Sequence, residues 1–176
     1  MNAPSTQSVS EILADKVSAL RAEALPPAVR ERAGQLLIDI VGLCVAARET
    51  DYVRSVLAAA DTGGGCTAIG HAATYDAGTA ALINGTAAHG EDFDDTFEGG
   101  PVHSSVVVIP AVLAACERFQ CDGRAALAGI VAGVEALCRL SMVIPKAIHK
   151  AGFHPTSVLG TIAAALGAAT TMGLVR

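Results

Sequence analysis

The strongest constraint on this chain is the size of its side chains. Of 176 residues, 35 are Ala, and only six are aromatic, four Phe and two Tyr. Ala loses no side-chain entropy in a helix and lets backbones approach closely. A chain built this way cannot fill a core with large rings and must pack helix against helix. The expected fold is therefore all-α, an Ala-rich helical bundle.

Composition then removes several classes of function. Hydrophobic residues make up 52% and charged residues 16%, which is not the balance of a disordered tail. Lys and Arg total 12 against 17 Asp and Glu, a formal charge of −5. No basic stripe is present, so nucleic acid is not an expected partner. Uninterrupted apolar runs such as residues 106–116 fall far short of the roughly 20 residues a membrane span needs. The stretch 160–175 is broken by Thr and Gly and reads as a buried helix, so no membrane association is expected. The opening MNAPSTQSVS has neither the basic nor the apolar region of a signal peptide. Five cysteines, an odd number with no CxxC spacing, read as free apolar fillers in a reducing compartment. The expected location is cytoplasmic.

Helix punctuation divides the chain. Ser10 is read as the N-cap of a helix over 11–24, ended by Pro26 and Pro27. Pro27 suits the first turn of a helix over 28–47. The second half of that helix, LLIDIVGLCVAA, is apolar nearly all round and reads as buried, which makes Asp39 conspicuous. Helices follow over 51–60, 75–90, 106–119 and 124–143, with a short extended piece at 66–71. Residues 92–102 form a polar, Gly-rich loop. Residues 152–157 read as a short loop before a final apolar helix over 158–173, which needs a covering surface.

Two polar clusters interrupt this apolar background. His89, Glu91, Asp92, Asp94, Asp95 and Thr96 are followed by His103, Ser104 and Ser105. Burying so many ionisable groups is expensive unless they are paired or used. A solvated, helix-capping acidic loop would explain the same composition. The second cluster is Lys146, His149 and Lys150, then Gly152-Phe-His-Pro-Thr-Ser157. A helix N-terminus with Thr156 and Ser157 hydroxyls can bind a carboxylate, but these residues also suit an exposed helix end. Together the clusters fit proton-transfer chemistry, with His as acid or base and Asp orienting it. A metal-dependent hydrolase using His89, Asp92 and His103 is the competing chemical reading.

The segments AALINGTAAHGEDFDDTFEGGPVHSS, IPAVLAACE and GFHPTSVLG, in that order, resemble the MmgE/PrpD family. The upstream LPPAVRERAGQLLIDIVGLCVAA resembles its opening helices. The family includes 2-methylcitrate dehydratase, cis-aconitate decarboxylase and iminodisuccinate epimerase. The resemblance implies a cofactor-free lyase or isomerase acting on a small di- or tricarboxylate, as a homodimer. It implies a large all-helical domain and a smaller α/β lid, of which residues 1–176 would be the N-terminal helical part, incomplete at its C-terminus. The expected activity is 2-methylcitrate dehydratase-like, in propionate metabolism. Carried over motif by motif, the catalytic residues are Asp92, Thr96, His103 and His154. His103 and His154 would be the acid and base, Asp92 would orient or polarise, and Thr96 would hydrogen-bond the substrate. Asp95, Ser157 and Lys150 are the expected substrate-binding residues, and no metal ligand is assigned. The chain departs from the family at Glu91, where an apolar residue is usual, and at Ser104, where Pro often follows the His. A non-catalytic helical subunit that needs a partner chain is the alternative to an enzyme.

Overall fold

A computed structural model describes residues 7–143 and 145–174. Residues 1–6 and the last two residues, which belong to segments discussed above, lie outside the described residues. The described residues form eight α-helices and one two-stranded antiparallel hairpin, so the all-α expectation holds.

Helix α1 is Val9–Ser18. Its cap is Ser8, not Ser10. The Ser8 hydroxyl accepts from the Glu11 N–H, and the Glu11 carboxylate accepts from the Ser8 N–H at 2.8 Å. This reciprocal capping box satisfies two otherwise orphaned donors, which a Ser10 cap would not. The helix ends before the predicted 24, and a 3-10 turn, Ala22–Ala24, leads to the proline pair. Helix α2, Pro27–Ala47, starts at its proline. It buries Ala33, Ile40, Cys44 and Ala47, one stripe at helical spacing. The expectation of burial on all sides is corrected here: Ile38 is 74% exposed and Asp39 is exposed beside it.

Helix α3, Asp51–Ala59, leads to the hairpin β1 (Cys66–Thr67) and β2 (Thr74–Tyr75), in register Cys66↔Tyr75. Tyr75, read from sequence as the first helical residue, is strand because the helix starts at its own cap. The Asp76 carboxylate accepts from Gly78 and Thr79 N–H, and α4 runs Ala77–His89. Asn84 fastens the hairpin to α4. Its side chain accepts from the Ile69 N–H at 2.8 Å and donates to the Thr67 carbonyl at 2.9 Å.

Helices α5 (Ser105–Phe119), α6 (Gly123–Val143) and α8 (Pro155–Thr171) form the main core, with the one-turn α7 (Ala147–Lys150) between the last two. Val108, Ile109, Val112, Ile130, Leu137 and Ala163 are buried there. Small residues set the spacing of α6 and α8. A Cβ on Gly129 would stand 2.6 Å from the Gly167 carbonyl oxygen, and one on Gly133 would stand 2.9 Å from that of Ala163. Helix α6 is, among the described residues, the one helix long and apolar enough to cross a membrane. Its small face is spent on α8. The final helix is therefore not uncovered, as the sequence suggested. It buries Leu159, Gly160, Ala163 and Gly167 against α5 and α6, although Val158 and Ile162 stay half-exposed. It also begins earlier than expected, because Pro155 occupies its first turn.

This packing delivers three chain segments to one place: the C-terminus of α4, the loop from α4 to α5, and the turn into α8.

Candidate functional site

Helix α4 ends in His89. Gly90 follows because the Tyr52 ring occupies the space: an added Cβ would lie 2.2 Å from it. The Tyr52 hydroxyl donates to Glu91 at 3.0 Å, so the acidic departure at Glu91 has a hydrogen-bond partner on α3. The chain then turns at Asp92, whose φ of 57° lies in the left-handed region that Asp tolerates better than most residues. An isolated bridge between Phe97 and Val102 closes the loop.

Asp94 and Asp95 face different partners. Asp95 receives the start of α5. One of its oxygens accepts from the Ser104 N–H at 3.3 Å and the Ser104 hydroxyl at 2.6 Å. The other accepts from the Ser105 N–H at 2.9 Å and the Ser105 hydroxyl. This puts a carboxylate on the positive end of a helix and spends it on structure. Asp95, expected among the substrate-binding residues, has both of its oxygens bonded to Ser104 and Ser105 here. His103, immediately before these serines, is further pinned by its N–H, which donates to the Thr156 hydroxyl of α8 at 3.0 Å.

His154 is the N-cap residue of α8. Gly152, at φ 87°, makes the turn that presents it. The ring centroids of His89, His103 and His154 lie 4.9, 5.6 and 6.1 Å apart. Three imidazoles from three elements therefore form one triangle. His103 Nε2 is 3.5 Å from the exposed Asp92 carboxylate, and its Nδ1 is 3.4 Å from Asp94, whose side chain is fully buried. His89 Nδ1 is 2.9 Å from the other Asp94 oxygen. Burial holds the pKa of His154 below its ordinary value, and repulsion from His89 and His103 adds to this. The Asp39 carboxyl, although exposed, is pushed up, first by the desolvation it does meet on α2 and then by the charges of Asp95 and Asp94.

Asp92, Thr96, His103, His149, Phe153 and His154 line a cavity of about 600 Å³. An apolar groove of about 750 Å³ adjoins it, with His154 on both walls. The structure thus brings Asp92, Thr96, His103 and His154 together. It does not bring in the other two expected substrate-binding residues. Lys150 is exposed on α7 away from the cavity lining, and the ring of its neighbour His149 lines it instead. Ser157 donates to the His154 carbonyl at 2.8 Å and faces the apolar groove. Sequence reasoning placed Asp94 and His89 in the polar cluster and among the candidate metal ligands, and gave neither a catalytic role of its own. Their spacing, one at a helix end and one in a loop, carries no periodic signal that they meet.

A metal can be weighed on the same distances. One ligand atom from each of His89, Asp92, Asp94 and His103 lies within 4.8 Å of the others. A divalent ion with bonds near 2.1 Å keeps its ligands at most about 4.2 Å apart, so the set would have to contract. The shortest contact of the set, His89 Nδ1 to Asp94 at 2.9 Å, already engages that ring nitrogen.

The class defined by these features is an all-helical domain with clustered carboxylates and histidines at an open cavity. The chain belongs to the MmgE/PrpD family: the signature of the MmgE/PrpD N-terminal domain matches residues 11–176. It is 28% identical over 177 residues to a cis-aconitate decarboxylase-like protein, oryM, of Aspergillus oryzae, covering 94% of this chain and 37% of that one. It is 29% identical to cis-aconitate decarboxylase of Aspergillus terreus, covering 89% of this chain and 34% of that protein. The mouse (Mus musculus) cis-aconitate decarboxylase is also 29% identical, over 96% of this chain and 36% of its own length. The chain thus spans about a third of the length of the curated relatives it matches.

Proposed function

We propose that this chain carries the histidine and aspartate part of a lyase site for a small di- or tricarboxylate. The observation behind this reading is that Asp92, Thr96 and His103 of one loop and His154 of a distant turn line one cavity. The names of the relatives favour loss of CO₂ from cis-aconitate over the 2-methylcitrate dehydration expected from the sequence. In a decarboxylation the carbon–carboxylate bond breaks and CO₂ leaves. The electron pair spreads over the adjoining double bond, and a ring nitrogen protonates the new carbanion. His103, flanked by two carboxylates, is placed to carry that proton. His154, whose protonated form is disfavoured by burial and by the neighbouring rings, stands beside it on the cavity wall. Thr96 and Asp92 at the rim orient the substrate, and His149 adds a third ring to the cavity wall.

The same reading carries a cofactor-free, homodimeric, cytoplasmic enzyme. All five cysteines are free thiols, which supports a reducing compartment. The test is an assay of the protein expressed from its complete reading frame, offered cis-aconitate and 2-methylcitrate in parallel. CO₂ release from the first supports decarboxylation. Formation of a new double bond from the second supports dehydration instead, and turnover of neither removes the lyase reading.

A further inference from the structure

We propose that Asp94 is the positioning residue of this site: each of its carboxylate oxygens accepts the Nδ1–H of one ring, His89 and His103, leaving Nε2 of His103 as the reacting nitrogen. The inference rests on the acid/base reading of His103 given above.

Asp94 is 5% exposed, in a loop whose other carboxylates are open to solvent or bound to serines. One oxygen meets His89 Nδ1 at 2.9 Å. The other oxygen and His103 Nδ1 are both buried, without a hydrogen-bond partner, and 3.4 Å apart. A buried carboxylate oxygen and a buried ring nitrogen are each costly to leave unmade. A turn of the ring that shortens this contact and aligns the N–H with the oxygen makes an ordinary N–H···O bond, so we assign each as the other's partner. With Nδ1 protonated on both rings, the basic lone pair sits on Nε2. For His103 that atom points at Asp92 and the cavity. Asp94 itself does not line the cavity, so it acts through the rings and not on substrate.

A carboxylate can do this for two rings because it has two acceptors. A carboxamide has one acceptor and one donor. In Asp94→Asn the NH₂ group faces one of the two Nδ1 atoms, and that ring must move its proton to Nε2. Long-range ¹⁵N–¹H NMR of the 176-residue chain at mildly alkaline pH reads the tautomers directly, without substrate. The expected result is Nδ1–H on both His89 and His103 in the parent chain. Asp94→Asn should switch one of them to Nε2–H while His154 keeps its parent signature. In the active protein the same variant should lower kcat by roughly 10²–10⁴, with KM nearly unchanged. If Asp94→Asn does not fold, the parent spectrum still decides. Nε2–H on His103 overturns the proposal. So does an unprotonated Nδ1 whose resonances shift stoichiometrically with added ZnCl₂, which would make the cluster a metal site. Because the tautomers are read without turnover, an absent lyase activity leaves this result standing, and a wrong tautomer leaves the lyase reading standing.

Discussion

Asp95→Asn tests how the site is held. Asp95 takes four donors from two consecutive residues: the N–H and hydroxyl of Ser104 on one oxygen, and those of Ser105 on the other. Both serines are buried. An asparagine keeps the shape but has a single acceptor, so its NH₂ faces one N–H and one hydroxyl. The hydroxyl can rotate and accept, but the backbone N–H cannot. A buried N–H left unpaired costs about 1–3 kcal/mol. The bonds that survive lose their charge assistance, roughly half their strength. Together these give a destabilisation of about 2–4 kcal/mol, and Asp95→Ala, which removes both acceptors, should cost more. Urea unfolding followed by far-ultraviolet circular dichroism reads this as a midpoint lowered by about 1–2 M, given usual slopes for a domain of this size. Variants within about 0.5 kcal/mol of the parent would refute the reasoning, since four hydrogen bonds to a buried helix start cannot then be holding the loop.

Two further perturbations probe the seam and the site. Gly133→Ala puts a Cβ 2.5 Å from Val108 and 2.9 Å from the Ala163 carbonyl oxygen. The overpacking cost of about 1–3 kcal/mol outweighs a helix-propensity gain of about 1 kcal/mol, so Tm should fall by a few degrees. Gly42→Ala, with nothing within 4 Å, should raise it slightly in the same melt. For His154, the folded chain binds a proton less readily than the unfolded chain, whose value is the ordinary 6.5. As pH falls through that value the unfolded state gains protons first, so stability declines on the acid side. His154→Gln should remove that decline, and paired melts at neutral and mildly acid pH would show the gap opening in the variant's favour.

The helices were legible wherever a residue with a fixed backbone preference marked an end. Pro27, Asp51 and Asp122-Gly123 placed the starts of α2, α3 and α6 within one residue. The starts of α1 and α8 were misjudged although signals were present: Ser8 with Glu11 three residues on, and Pro155 as a first-turn proline. Burial was less legible than helicity. The apolar run of α2 does not reveal that Ile38 faces out, because burial belongs to neighbours and not to composition. Motif resemblance brought out Asp92, Thr96, His103 and His154. Of the adjacent pair it singled out Asp95 and passed over Asp94. Adjacent carboxylates of one loop look alike in sequence, yet one faces two rings and the other two serines. Lys150 and His149 are a similar pair, since a one-turn helix sends adjacent side chains in different directions.

The most direct measurement of the central claim is kcat for His103→Ala and His154→Ala beside the parent, in the protein from its complete reading frame with cis-aconitate as substrate. Each variant should fold and turn over roughly 10²–10⁴ times more slowly. Near-parent turnover in both would contradict the assignment of these rings to proton transfer.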